Sequence, residues 1–199
     1  MSDQKIYTLW SDDQIDEESI RILRTTCEDL SLPLNREEQE MVRTLVDTFL
    51  TRDDGVGLAA PQIGILKRIV VFRNKGFDER NWSKKPEDYE VLINPRITQA
   101  RGDLVSALEG CLSCPDIQVE IARYPEIKLR AYDGKGNKIA KRYSDYVARV
   151  VQHEMDHLEG KLIIDHGGAL YYPKKKQAFF DKIFQPEKIQ LSRPAIVLY

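Results

Sequence analysis

The sequence predicts a domain of mixed helix and strand, and three observations carry that reading. Strand-like runs bunch between residues 68 and 140, an amphipathic stretch precedes them over 35–53, and a second follows over 144–160. With 199 residues, 42% of them hydrophobic, the chain can bury a sizeable core, so one domain over 1–199 is expected. A net charge of −2 gives no electrostatic case for a nucleic-acid partner, and direct nucleic-acid binding is not expected. No apolar run is long enough to span a bilayer, so no membrane partner is expected, and Met1 opens no charged-then-apolar leader. Three cysteines, an odd number, fit a reducing compartment, and the expected localisation is cytoplasmic.

The elements follow in chain order. Residues 1–34 mix apolar Ile6, Leu9 and Trp10 with an acidic stretch, and are expected to wrap the domain surface with Cys27 as a small buried filler. Asn35 as N-cap, with Glu38 three residues on, opens a helix whose apolar face is Met41, Val42, Leu45, Val46, Phe49 and Leu50; Asp53, Asp54 and Gly55 end it. The glycine-rich stretch at 55–64 lacks the Gly-Lys-Ser/Thr of a phosphate loop and the spacing of a dinucleotide fingerprint. Its small residues suit a substrate backbone lying against the chain, and Gln62 adds a neutral amide donor. Strands are expected at 68–72, at 91–94 ahead of Pro95, and at 126–132, where a turn at 133–137 feeds residues 138–140. The polar stretch 73–86 reads as a solvated loop, with Trp82 over the domain edge or a substrate rim. Ser144 as N-cap, a stripe of Tyr146, Val147, Val150 and Val151, and Gly160 as stop define the second helix. Pro173 opens a last helix with Phe179, Phe180, Ile183 and Phe184 on one face, and residues 194–199 read as a terminal strand.

The chemistry concentrates in the second helix, which sets two of the chain's three histidines, His153 and His157, one turn apart on one face with Glu154 between them. Such a pair can grip one cation, while Glu154, about 100° round the helix from His153, can reach a bound water but is badly placed as a ligand. A catalytic metal needs a third protein ligand and an open position, and Cys111 is the obvious candidate. Gly110 before it lets the backbone come close, and the residues after it have amides free to face a ligand. His166 would exceed a three-ligand count and reads as structural.

Three stretches now resemble something specific. Residues 55–62 (GVGLAAPQ), 109–113 (EGCLS) and 152–158 (QHEMDHL) are similar, in order and spacing, to the three signature motifs of the peptide deformylase family, over roughly residues 40–165. The resemblance implies an α+β fold of mostly antiparallel sheets packed around a central helix carrying the HExxH motif. It makes 40–165 the catalytic core, wrapped by residues 1–34 and 170–199. It implies hydrolysis of the formyl group from the N-terminal formyl-methionine of new chains, with N-formylmethionyl peptides and nascent chains as partners. It implies Fe(II) in the cell, replaceable by Zn(II); the donor set itself accepts Zn(II), Fe(II), Co(II) or Ni(II).

On this reading a divalent metal sits on Cys111, His153 and His157, and water becomes a nucleophile at neutral pH with Glu154 taking its proton and passing it to the leaving amine. The oxyanion meets the Gln62 amide, whose counterpart has that role in the family, and the backbone N–H of Leu112. The substrate backbone is expected against Val56, Gly57 and Gly110, as an added strand. Its first side chain is expected on Val150, with the stem of Arg149 and the ring of Tyr146 at the pocket mouth. Some bacterial members dock on the ribosome through a C-terminal helix, but the break at Pro186 speaks against that route here.

Two other classes compete. A zincin-type protease shares the HExxH pattern but takes its third ligand downstream, where only His166 and scattered carboxylates are available. A closed zinc module would add Cys114 to Cys111 and the two histidines. For that, the chain must turn back between Cys111 and Cys114, and Pro115 disfavours the turn. An extended segment is expected, with Cys114 facing away from Cys111 as a packed side chain.

Overall fold

The computed structural model describes residues 4–75, 77, 85–184 and 196–198. Asn35 caps the helix α2 (Arg36–Thr51) through a full capping box: its side chain accepts from the Glu38 amide at 2.9 Å and the Glu38 carboxylate accepts from the Asn35 amide at 2.9 Å. Before it lie a two-residue hairpin, β1 (Trp10–Ser11) and β2 (Gln14–Ile15), and a short helix α1 (Glu17–Leu23). After it a five-stranded antiparallel sheet forms in the order β3 (Gly57–Ala59), β4 (Ile69–Arg73), β5 (Tyr89–Arg101), β8 (Glu126–Tyr132) and β9 (Lys138–Ser144). Strand β4 is buried on both faces: Ile69 and Val71 meet α2, while Val70 and Phe72 meet α3 (Asp145–Leu158).

A second sheet contains β6 (Val105–Cys111), β7 (Cys114–Arg123), β10 (Leu170–Tyr172) and β11 (Ile196–Leu198), in the order β11-β10-β7-β6. All of its pairings are antiparallel except β10 with β11. Helix α3 packs on the five-stranded sheet and reaches the second sheet through a side-chain bond from Arg149 to the Ile121 carbonyl, and the residue just after β7 through one from Gln152 to the Tyr124 carbonyl. The antiparallel sheets around a central helix are therefore as expected.

Several local expectations need correction. The strand expected to end before Pro95 runs on to Arg101, because a register shift between Ile93 and Arg96, with Asn94 at φ +50°, takes the proline out of the ladder. Ser144 occupies the N-cap of α3 but its hydroxyl makes no capping bond; the helix entry is held instead by the Asp145 amide donating to the Pro125 carbonyl at 2.7 Å. Gly160 does stop the helix, at φ +67°, and a Cβ there would meet the Arg24 carbonyl oxygen at 2.4 Å. The N-terminal segment does more than wrap: Leu9, Trp10 and Leu23 are buried in one core with β7 and α4 (Gln177–Ile183), whose Phe180 stacks edge-on to Trp10. Cys27 is buried, and burial pushes its thiol up to about 12, as suits a filler.

The sharpest correction concerns Cys111 and Cys114. The chain does turn back between them: β6 and β7 form a hairpin in which Cys111 pairs with Cys114 across Leu112 and Ser113. The register then jumps from Cys111 opposite Cys114 to Gly110 opposite Gln118, so residues 115–117 bulge out with Asp116 at φ +67°. Pro115 sits in that bulge, where no ladder N–H is needed. The two thiols interact, and Cys114 itself is fully buried in the core beside Trp10.

Within the stretch expected as a solvated loop, Phe77 packs edge-on against Tyr146, ring centroids 4.7 Å apart. Trp82 and residues 185–195 lie outside the described residues.

Candidate metal centre and catalytic cleft

A cleft of about 790 Å³ opens where β3, the β6–β7 hairpin and α3 meet. Its lining includes Val56, Gly57, Gln62, Gly110, Cys111, Leu112, Tyr146, Arg149, Val150, His153 and Glu154, so nearly every residue singled out from the sequence borders one space. His157 lies behind it, 1% exposed.

Helix α3 supplies the base of the site, because its 3.6-residue period stacks His153 over His157 with ring centroids 5.3 Å apart. The β6–β7 hairpin supplies the thiol. Cys111 Sγ lies 3.3 Å from His157 Nε2, and one donor atom each from Cys111, His153 and His157 all fall within 4.8 Å of one another. One thiolate and two imidazoles at that spacing fit a divalent transition metal with a coordination position to spare. Neither alternative ligand joins the group: His166 Nε2 is bonded to Asp156 at 2.8 Å, and Cys114 is outside the cluster. The Cys111 thiol is held well below its ordinary range by the Cys114 thiol and by His157, against the opposing effect of burial.

Glu154 is buried, and loss of solvent pushes its carboxyl up to about 7 although both histidines pull it down. Among the described residues, neither its Oε2 nor His157 Nδ1 has a hydrogen-bond partner. Gly57 is required by this carboxylate: a Cβ on Gly57 would stand 2.3 Å from Glu154 Oε1. Gly110 differs, since a Cβ there would meet nothing nearer than the Ile117 carbonyl oxygen at 4.0 Å, which leaves open space above the strand.

Gln62 is fixed from both ends. Its Oε1 accepts from the Ala59 amide at 2.9 Å, which turns the NH2 group towards Ser113 Oγ at 3.2 Å and Cys111 Sγ at 3.9 Å. The N-terminal segment braces the same region through its backbone: the Tyr7 amide donates to the Gln62 carbonyl at 2.8 Å and the Leu9 amide to the Ser113 carbonyl at 2.9 Å.

Sequence reasoning assigned no role to Glu109, and the structure makes it the hub of the site. Its Oε2 meets His153 Nδ1 at 2.9 Å, which leaves His153 Nε2 free to face the thiolate. Arg123 grips both carboxylate oxygens, at 2.7 and 2.9 Å, and reaches Asp156 with its third nitrogen at 2.9 Å. Arg149 adds a bond to Glu109 Oε1 at 2.7 Å. Burial alone would raise the Glu109 carboxyl, but the bonds from His153 and Arg123 outweigh it and hold it down at about 2. A signal for this residue was present: on a strand, Glu109 and Cys111 share a face, so a carboxylate two positions before a candidate metal-binding thiol points at the same helix.

Comparison with known proteins points one way. The polypeptide deformylase family profile matches residues 13–171. Peptide deformylase 1 of Rickettsia conorii is 42% identical over 135 residues, which cover 65% of this chain and 75% of the relative. The structure of a Synechococcus elongatus peptide deformylase in complex with actinonin superposes with a TM-score of 0.70 at 28% identity, covering 96% of this chain and 92% of that one. A Met-Ala-Ser-bound class I type b peptide deformylase from Acinetobacter baumannii gives 0.67 at 25% identity, over 83% of this chain and 98% of that one.

Proposed function

This chain belongs to the polypeptide deformylase family, and from that premise we infer that it removes the N-formyl group from the N-terminal formyl-methionine of newly made proteins, releasing formate. It is a metallohydrolase acting on a linear amide. The observation that carries the reading is the set of Cys111, His153 and His157 donor atoms within 4.8 Å of one another, beside a buried carboxylate and an oriented amide.

Cys111, His153 and His157 hold the metal. A divalent cation there supplies a Lewis acid and a water nucleophile at neutral pH. Glu154 takes the proton of the attacking water and passes it to the amine as the C–N bond breaks, a task suited to a carboxyl that burial has moved near neutrality. The Gln62 NH2 group and the Leu112 amide meet the developing oxyanion, each such donor lowering the barrier by about 3 kcal/mol. The peptide lies along Val56, Gly57 and Gly110, and its first side chain enters the cleft beside Val150 and Tyr146.

The ion in the cell is Fe(II), which Zn(II), Ni(II) or Co(II) can replace, since the donor set suits all four. The protein works in the cytoplasm, where nascent chains emerge; no described helix is long and apolar enough to cross a membrane. Docking on the ribosome by the apolar face of α4 is disfavoured, because Phe179, Phe180 and Phe184 are packed around Trp10. Formyl-Met-Ala-Ser, assayed against the unformylated peptide with anaerobically purified protein, tests the reading. Formate release is expected from the first only, and its absence with the metal bound refutes the assignment.

A further inference from the structure

The Arg149 guanidinium reaches from α3 to three acceptors. Through Nη1 it donates to Glu109 Oε1 at 2.7 Å and to the Ile121 carbonyl at 2.8 Å, and through Nη2 to the Val105 carbonyl at 2.5 Å. Val105 and Glu109 lie on β6 and Ile121 on β7, so one side chain ties two strands and a buried carboxylate to the helix. The seam it closes is the one across which the candidate ligands face each other. His153 stands one turn further along the helix that carries Arg149, and Cys111 ends the strand that carries Val105 and Glu109.

Arg123 crosses the same seam by another route: from β7 it grips Glu109 through a bidentate pair and reaches Asp156 on α3 with its remaining nitrogen, side chain to side chain. Among the described residues, only Arg149 of the two arginines reaches backbone carbonyls of the strands. Without it Glu109 would keep its charge partner and its bond to His153, while β6 would lose two charge-assisted ties to α3 and β7 one. Metal sites tolerate roughly 0.5 Å of displacement in their ligands, so slack in this seam falls on the distance between the thiolate and the imidazoles.

We propose that Arg149 is a positioning residue for the metal site, holding β6 and its Cys111 against α3 and its two histidines at the spacing that one divalent cation requires. This rests on the metallohydrolase reading for the cation, and is independent of the substrate. Arg149 still lines the cleft, where its stem was expected at the pocket mouth, but with the side chain 11% exposed and its nitrogens on three protein acceptors, the head group belongs to the seam.

The test compares the full chain with Arg149→Met and Arg149→Lys after loading with Co(II), whose bond to a thiolate gives a charge-transfer band. Arg149→Met should weaken Co(II) binding about 10- to 100-fold in a chelator competition and should shift or weaken that band. KM for formyl-Met-Ala-Ser should move less than about threefold. Arg149→Lys, which can still reach Glu109 with one cation, should recover part of the affinity. A lower melting temperature with unchanged Co(II) affinity and band would make Arg149 merely structural and overturn the proposal. So would a KM raised about tenfold at unchanged Co(II) affinity, which would return Arg149 to the substrate pocket. If Arg149→Met fails to fold, Arg149→Lys and Arg149→Gln decide by the same band and affinity. A parent protein inactive on formyl peptides would sink the deformylase reading and leave the Co(II) comparison standing.

Discussion

Replacing Glu109 by Gln keeps the side chain's shape and removes its charge, which makes the carboxylate's contribution measurable. Its carboxyl sits at about 2 instead of the ordinary 4.5, a difference equivalent to about 3 kcal/mol in favour of the charged form in the folded state. That agrees in scale with the 3–5 kcal/mol typically lost when one partner of a buried ion pair is removed. Gln makes matters worse geometrically, because four donors from Arg123, Arg149 and His153 converge on the two oxygens and an amide NH2 would oppose one of them. Chelator-treated Glu109→Gln should therefore unfold about 3 kcal/mol more easily in urea at pH 7, with a melting temperature lower by about 6–12 °C. The sign with pH follows from a depressed folded-state value. The stabilisation is fully present above the unfolded value of about 4.5 and disappears as pH falls towards 2. The gap between parent and variant should thus be flat from pH 7 to 5 and narrow below 4.5. A gap under about 1 kcal/mol at pH 7, or one that widens on acidification, would refute the placement of Glu109 as the charged hub.

Glu154→Gln should lower kcat/KM by about 10²- to 10⁴-fold with metal content near one per chain, since the carboxylate moves a proton and does not bind the ion. Burial raises the Glu154 carboxyl to about 7, so the folded metal-free parent loses stability as pH climbs from about 4.5 to 7; the Gln variant lacks this loss and should be the more stable above pH 7, by up to about 3 kcal/mol. Equal urea midpoints at pH 8 would contradict that. Gly57→Ala should cost about 10²-fold in kcat, because the new Cβ would stand 2.3 Å from Glu154 Oε1 and must displace it; wild-type kcat would show that Glu154 needs no fixed position. Cys114→Ala should keep the metal and most activity at a stability cost of about 1 kcal/mol, while Cys111→Ser loses the metal; equal metal loss in both would favour a four-ligand site.

Local chemistry was readable and long-range register was not. The capping box at Asn35 and Glu38, the bounds of β8 at Glu126–Tyr132 and the stop at Gly160 all depend on residues within a few positions of one another, and each is found as expected. The i, i+4 pair of His153 and His157 belongs to the same category. Strand β7 offered its own signal, since Ile117, Val119 and Ile121 alternate with Gln118, Glu120 and Ala122. What no local pattern supplies is the three-residue bulge at 115–117, and that bulge sets which residues of β6 face which of β7. The expectation of an extended segment through Cys114 failed for this reason: proline forbids a ladder bond at its own position, and the chain met the restriction by leaving the ladder there while still turning two residues earlier.

The charges around the site explain why its supporting residues come as a set. Glu109 and Asp156 carry two negative charges, Arg123 and Arg149 two positive ones, and all four are tied by bonds of 2.7–2.9 Å. This outer group is neutral by itself, so it can be buried, and can orient His153, without adding net charge to the cleft. The inner group then has its own balance. With a divalent cation held by Cys111, His153 and His157, a Cys111 thiolate and a Glu154 carboxylate would offset its two charges, and the outer carboxylates would take no part in that sum. Had Glu109 stood at the site without its arginines, the third negative charge would have pushed the Glu154 carboxyl further up and weakened it as a base at neutral pH. Arg123 is therefore one of the charges that pull the buried Glu154 carboxyl back down against the effect of burial.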